Sequence, residues 1–289
     1  MSGIALALFG AVLFGTYLFV IKRYFDHYAT PVYLFAVYVA ALVWYLPVAV
    51  VTTGGVPVPT TPYALGTTVA VSLAVVAALF AFFRAIQTGE VSYVAPISKV
   101  VPAFVLPIEL LVLPQTSLSV WQILGVVVVT VALYLANYEP GELVTPIRRA
   151  VTARPAQFAL ASAAIFGVVD VGKRYIMQEL AVDPAAFVVV MMATTAVAVA
   201  PLAWGHEDLA MAAADWTRFA AVGAMVALGQ HVVAVAFTTL PASVASPIVN
   251  AQAVVAVILG GVLLDEPRFR TRLAAACVAV TGVALISLG

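Results

Sequence analysis

The sequence is poor in charge: only 9% of its 289 residues are Asp, Glu, Lys or Arg. A water-soluble domain carries about 25%, so these residues cannot cover a water-facing surface. The basic and acidic residues, 13 of each, cancel to a net charge of zero, and no basic face suits a nucleic acid. The one cysteine, Cys277, excludes a disulfide framework and a cysteine metal cluster. The three histidines, His27, His206 and His231, lie far apart, and with no HExxH or paired His/Cys spacing no metal site is expected. The phosphate-cradling GxxxxGK pattern is also missing, which argues against ATP hydrolysis by this chain. No cofactor is called for.

What the sequence has is apolar length. Hydrophobic residues make up 64%, and mean hydropathy is +1.13. They fall in blocks matching the roughly 20 residues a helix needs to cross a hydrocarbon core. Lipid leaves exposed backbone groups unsatisfied, and the blocks are too long for barrel strands, so they are helices. The pattern predicts an all-α membrane protein with spans near 3–25, 31–52, 64–86, 91–113, 119–138, 157–176, 185–204, 217–238, 243–264 and 271–288. The first block lacks a basic stretch before it and a clear small-residue cleavage site after it. It is read as a span, not a removed signal peptide.

The chain repeats itself. Phe14-Gly15 with Lys22-Arg23-Tyr24 recurs as Phe166-Gly167 with Lys173-Arg174-Tyr175, and Ser92–Ile97 resembles Ser243–Ile248. Lys22 and Lys173 stand 151 positions apart, as do Pro96 and Pro247. The predicted organisation is a first repeat over 1–138, a linker over 139–156 and a second repeat over 157–289. Five spans per half is an odd number, so the ten transmembrane helices form two inverted five-helix repeats. That plan places a substrate site near the midplane between the halves. Arg84, Arg148, Arg149, Arg154, Arg218, Arg268, Arg270 and Arg272 fall in or beside the connections after odd-numbered spans, whereas after even-numbered ones only Lys173 and Arg174, at the end of the sixth span, stand nearby. The positive-inside rule puts those connections in the cytoplasm and both termini outside a plasma or inner membrane.

A few polar residues lie inside the spans. Lys99 falls near the middle of the fourth, where a cation costs about 2.5–3.5 kcal/mol even on lenient scales. It is a candidate for holding an anionic group, or one half of a buried ion pair. Its repeat mate, 151 positions on, is Asn250. Pro96, Pro102 and Pro247 each free a carbonyl and are candidate kinks or gates. Asp170 precedes Lys173 by three residues and Arg174 by four, so all three can share a helix face. It either pairs locally or faces the cavity as a coupling group, with protons as the coupling ion. Gln230 and His231 lie inside the eighth span. Tyr17, Trp44, Phe80, Phe83 and Tyr93 are candidate aromatic walls, with packing or interfacial anchoring as the plainer role. Glu109 falls late in the fourth span and is expected to approach the interface.

The repeated elements resemble the drug/metabolite transporter superfamily, EamA type. The resemblance rests on Phe14-Gly15 with Lys22 and Phe166-Gly167 with Lys173, on Pro31 and Pro184 before second spans, and on the small residues and prolines of Ser92–Pro102. The closing Asp265-Glu266-Pro267 and Gly282 also fit. The chain departs from the pattern at Gln115, where a Glu is expected, and at Tyr38, near the place of an expected Arg. The resemblance implies a non-enzymatic ten-helix secondary transporter of small metabolites. Lys99 favours an anionic or zwitterionic substrate, such as an amino acid or an organic or phosphorylated acid. The expected mechanism is alternating access around a midplane cavity, with the substrate and the bilayer as partners. The competing readings are a channel-like facilitator and an intramembrane enzyme acting on lipid.

Overall fold

The computed structural model describes residues 2–89, 94, 97–98, 100–112, 119–136, 152–263 and 269–288. All regular structure among them is helical. In chain order the helices are α1 (Gly3–Tyr24), α2 (Thr30–Thr53), α3 (Pro62–Thr88), α4 (Val101–Val112), α5 (Val120–Ala136), α6 (Arg154–Arg174), α7 (Pro184–Ala203), α8 (Asp208–Ala214), α9 (Trp216–Phe237), α10 (Ala242–Asn250), α11 (Gln252–Leu263) and α12 (Phe269–Ser287). Helices occupy all ten predicted positions. Seven candidate spans are long and apolar enough to cross a bilayer, counting α6 with its continuation and α10 with α11 as one each. The chain is a multi-pass membrane protein. Leu8, Val12, Val48, Leu111, Val197 and Leu202 stand exposed on its sides, as a lipid-facing surface requires.

Local chemistry sets the helix starts. Ser2, Thr61 and Asp183 cap α1, α3 and α7 with side-chain oxygens on backbone N–H groups of the first turn. Prolines sit in the first turns of α2, α3, α6 and α7, where no N–H is needed. Pro102 belongs to the same class. It is the second residue of α4, and the non-helical Val100 separates it from helical Ile97 and Ser98.

The ninth predicted span is broken in two. Pro247 has no N–H for the Ser243 carbonyl. Asn250 then turns its side-chain amide back onto the Ser246 carbonyl at 2.8 Å and the Ser246 hydroxyl at 3.2 Å. The Ala251 N–H is shared between Pro247 and Ile248 carbonyls, and the helix restarts at Gln252. At the end of α6 the chain widens into a π-helical turn, Tyr175–Glu179.

Helices pack across the halves. The principal partner of α1 is α9, of α2 is α7, of α3 is α6, and of α5 is α12. The packing is also paired. Exchanging the halves turns α1 on α11 into α6 on α4, and α1 on α9 into α6 on α3; both members of each pair are present. Glycines mark the closest crossings. A Cβ on Gly15 would lie 2.5 Å from the Val255 side chain and 2.7 Å from the Gln252 carbonyl oxygen. A Cβ on Gly167 would lie 2.8 Å from Phe104 Cβ. Phe104 and Val255 are themselves 151 positions apart, so the aromatic-glycine pair of each half meets the equivalent place in the other.

The short helix α8 pins the turn between α1 and α2. The Tyr28 hydroxyl donates to Asp215 at 2.8 Å, and the Ala29 N–H donates to Asp208 at 2.9 Å. Tyr28 is 2% exposed. Burial, followed by the Asp215 carboxylate, pushes its phenol up to about 12. The fold therefore favours the neutral phenol. That contribution is complete below the ordinary value of 10.0 and is lost as pH rises toward about 12. Melting temperature should fall across this window, and Tyr28→Phe should flatten the fall; an unchanged profile would remove Tyr28 as its source.

Candidate functional site

A cavity lies between α1, α2, α3, α6, α9 and the broken pair α10–α11. It offers about 100 Å³ to water centres, several times the ~10–15 Å³ one water occupies on that measure. Its lining pairs up at the repeat offset. Val75 and Val226, Leu79 and Gln230, Phe82 and Val233, and Val101 and Gln252 all line it, each pair 151 positions apart. Phe14 and Phe166, from the two aromatic-glycine pairs, line it as well. The cavity therefore sits where the two halves exchange.

Its polar groups are few and placed around an apolar wall. Asp170 and Lys173 supply both charges: Asp170 Oδ1 stands 3.5 Å from Lys173 Nζ, one turn apart on α6. Both side chains are about nine-tenths buried, at 10% and 11% exposure. Lys173 Nζ also lies 5.7 Å from the centre of the Phe237 ring, a cation–π contact. Tyr17 and Tyr38 contribute buried hydroxyls from α1 and α2, and Tyr38 lies against the amide of Gln230. Asn250 and Gln252 flank the break at Ala251, and both are 7% exposed. Such a set can hold a small molecule carrying both a negative and a positive group.

The structure thus brings Tyr17, Asp170, Lys173, Gln230 and Asn250 to one cavity. Among the other described candidates, Trp44, Phe80, Phe83, Pro102, His231 and Pro247 do not line it. Trp44 is 54% exposed, and its indole N–H donates to the Ala220 carbonyl at 3.0 Å. His231 points away from Gln230, its helix neighbour, and its Nδ1 meets the Tyr45 hydroxyl at 2.6 Å, tying α9 to α2. Both therefore join helices to each other rather than facing the cavity. Lys99, Tyr93 and Pro96 lie outside the described residues. Pro247 is buried within α10, close to the cavity edge formed by Val249 and Asn250.

Beyond Lys173, at the end where α6 finishes, a polar network joins the halves. Glu109 of α4 is 1% exposed. Its Oε1 is ion-paired with Arg174, and its Oε2 accepts the Ser243 N–H, at the start of α10, at 3.1 Å. Arg174 also reaches Gln178 at 3.3 Å. Gln178 in turn donates to the Phe237 and Leu240 carbonyls, each at 2.9 Å, closing the end of α9. Glu109 of α4 thus satisfies the start of α10, and Gln178 of the π turn satisfies the end of α9. Asp170 and Arg174 do not pair with each other; each has its own partner.

Interleaved inverted repeats around a mixed-charge cavity define a membrane transporter fold. The EamA-like transporter family model matches residues 1–138 and again residues 154–288, and the chain belongs to that family. One solved structure, described only as a crystal structure of a protein, shares the fold. It aligns with a TM-score of 0.69 and 18% identity, over 99% of this chain and 98% of its own. No curated protein is similar at a significant level.

Proposed function

We propose that this protein is a secondary transporter of a small zwitterionic metabolite of the amino-acid type, working by alternating access around the central cavity. The observation that carries the reading is the Asp170–Lys173 pair, which lines one cavity with both charges. Lys173 suits a carboxylate, Asp170 an ammonium group, and the aromatic and aliphatic wall a small side chain. The broken α10–α11 pair beside it supports a moving element. In this reading the end holding Lys22 and α8 faces the cytoplasm and both termini lie outside, an orientation supported by the arginine bias of the sequence.

The test is a thermal-shift panel of amino acids, amines and carboxylic acids on the purified chain. A ligand of the folded state raises its melting temperature. Only compounds with both charges should do so. Lys173→Gln should weaken the best of them by roughly 10–100-fold, since hydrogen bonds to charged groups contribute about 1.5–3 kcal/mol. Counterflow of that compound in vesicles should be saturable. Stabilisation by compounds of one charge, unaffected by Lys173→Gln, would overturn the reading; flux without counterflow would favour a channel.

A further inference from the structure

A second recess lies at the other end of α1. It has a volume of about 400 Å³ and is lined by Lys22, Asp26, His27, Gln87 and Asp208 among others. It stands one turn beyond the central cavity. Leu18 and Phe82 line the cavity, whereas Ile21, Phe83 and Ile86 line the recess. Tyr33 forms the wall between them. Its ring packs on Phe25 at 5.4 Å and on Phe83 at 5.1 Å, centre to centre. Its hydroxyl faces that of Tyr17, a cavity residue, without completing a hydrogen bond.

Lys22 is the repeat mate of Lys173. Both sit in the last turn of the first helix of their half. Lys173 is held by Asp170, while Lys22 has no carboxylate within ion-pair distance among the described residues. Position 151 residues before Asp170 is Phe19, so the first half lacks the local anion. The recess nevertheless carries both signs, with Lys22, Asp26 and Asp208 in its lining.

We infer that this recess is an outer binding site for the same small zwitterion, with Lys22 receiving its carboxylate before the Tyr33 wall opens. The inference rests on the central-cavity reading. Inverted halves reach the opposite-facing state by exchanging conformations. In that exchange Lys22 takes the position relative to the cavity that Lys173 holds here. The carboxylate then passes from one lysine to its mate, and it meets a cation on both sides of the wall.

Equilibrium dialysis tests this on the purified full chain. The probe is the labelled amino acid giving the largest stabilisation in the panel above. The wild-type chain should bind two molecules, Lys22→Gln one, and Lys22→Arg two again. Lys173→Gln should retain one, at the outer site. A single molecule bound by the wild type and unchanged by Lys22→Gln overturns the inference and leaves the central reading intact. A panel in which no amino acid stabilises the chain removes that reading and the inference with it. If Lys22→Gln does not fold, the same amino acid is tested for protection of a Gln87→Cys, Cys277→Ser chain from N-ethylmaleimide. Protection supports the outer site, and unimpeded alkylation overturns it.

Discussion

Alanine in place of Glu109 is expected to destabilise the protein by about 3–5 kcal/mol, the loss that follows when one partner of a buried ion pair is removed. The effect has three parts. Arg174, with a side chain only 17% exposed, keeps its charge and loses its counter-ion. The Ser243 N–H loses its acceptor at a helix start buried beneath α4. The space left by the side chain opens beside the Gln178 bonds that hold the end of α9. Melting temperature in detergent measures the sum. Glu109→Gln should lose less, because it still offers Ser243 an acceptor. The double variant Glu109→Gln, Arg174→Gln should recover much of the loss, since a neutral pair strands no charge. An unchanged melting temperature for Glu109→Ala would mean that the network does not hold this end together.

Leucine at Gly15 is the second substitution with a large expected effect. Even a Cβ there would overlap the Gln252 carbonyl oxygen, and a backbone atom at a helix break cannot step aside as a flexible side chain does. Overpacking of this kind costs about 1–3 kcal/mol, occasionally more. Its consequence for transport should exceed its consequence for folding. Gly15 lies between Phe14 and Tyr17, and Gln252 is itself a cavity residue, so spreading α1 from α11 moves opposite walls of the cavity. Gly167→Leu, against Phe104 on α4, should act the same way from the other half. Binding of the best amino acid should weaken at least 10-fold in both; undiminished binding in either would show that the crossing does not set the cavity.

Much of this was legible in the sequence. Lipid leaves so few backbone options that apolar length alone located the helices, and the 151-residue offset related the halves before any contact was known. The offset also contained the cavity walls. Val75, Val226 and Leu79 carry no chemical signal of their own, because an aliphatic residue reads alike on a cavity wall and in a packed core. What the sequence could not supply was direction around each helix. Helices α2 and α9 are apolar on all sides, so periodicity gives no inward face, and Trp44 and His231 were misplaced for that reason. Glu109 and Arg174 are 65 positions apart and share no local pattern, so their pairing depends on how α4 crosses α6. The short helix α8 was hidden by its polar start at Glu207-Asp208, which reads as a turn.

The preference of each helix for a neighbour in the opposite half has a consequence for how the protein is made. During synthesis α1, α2 and α3 enter the bilayer while α6, α7 and α9 do not yet exist. The contact of Tyr38 with Gln230 and the Glu109–Arg174 pair can therefore form only after the second half is made. A chain truncated after the first half lacks the principal packing partners of α1, α2, α3 and α5.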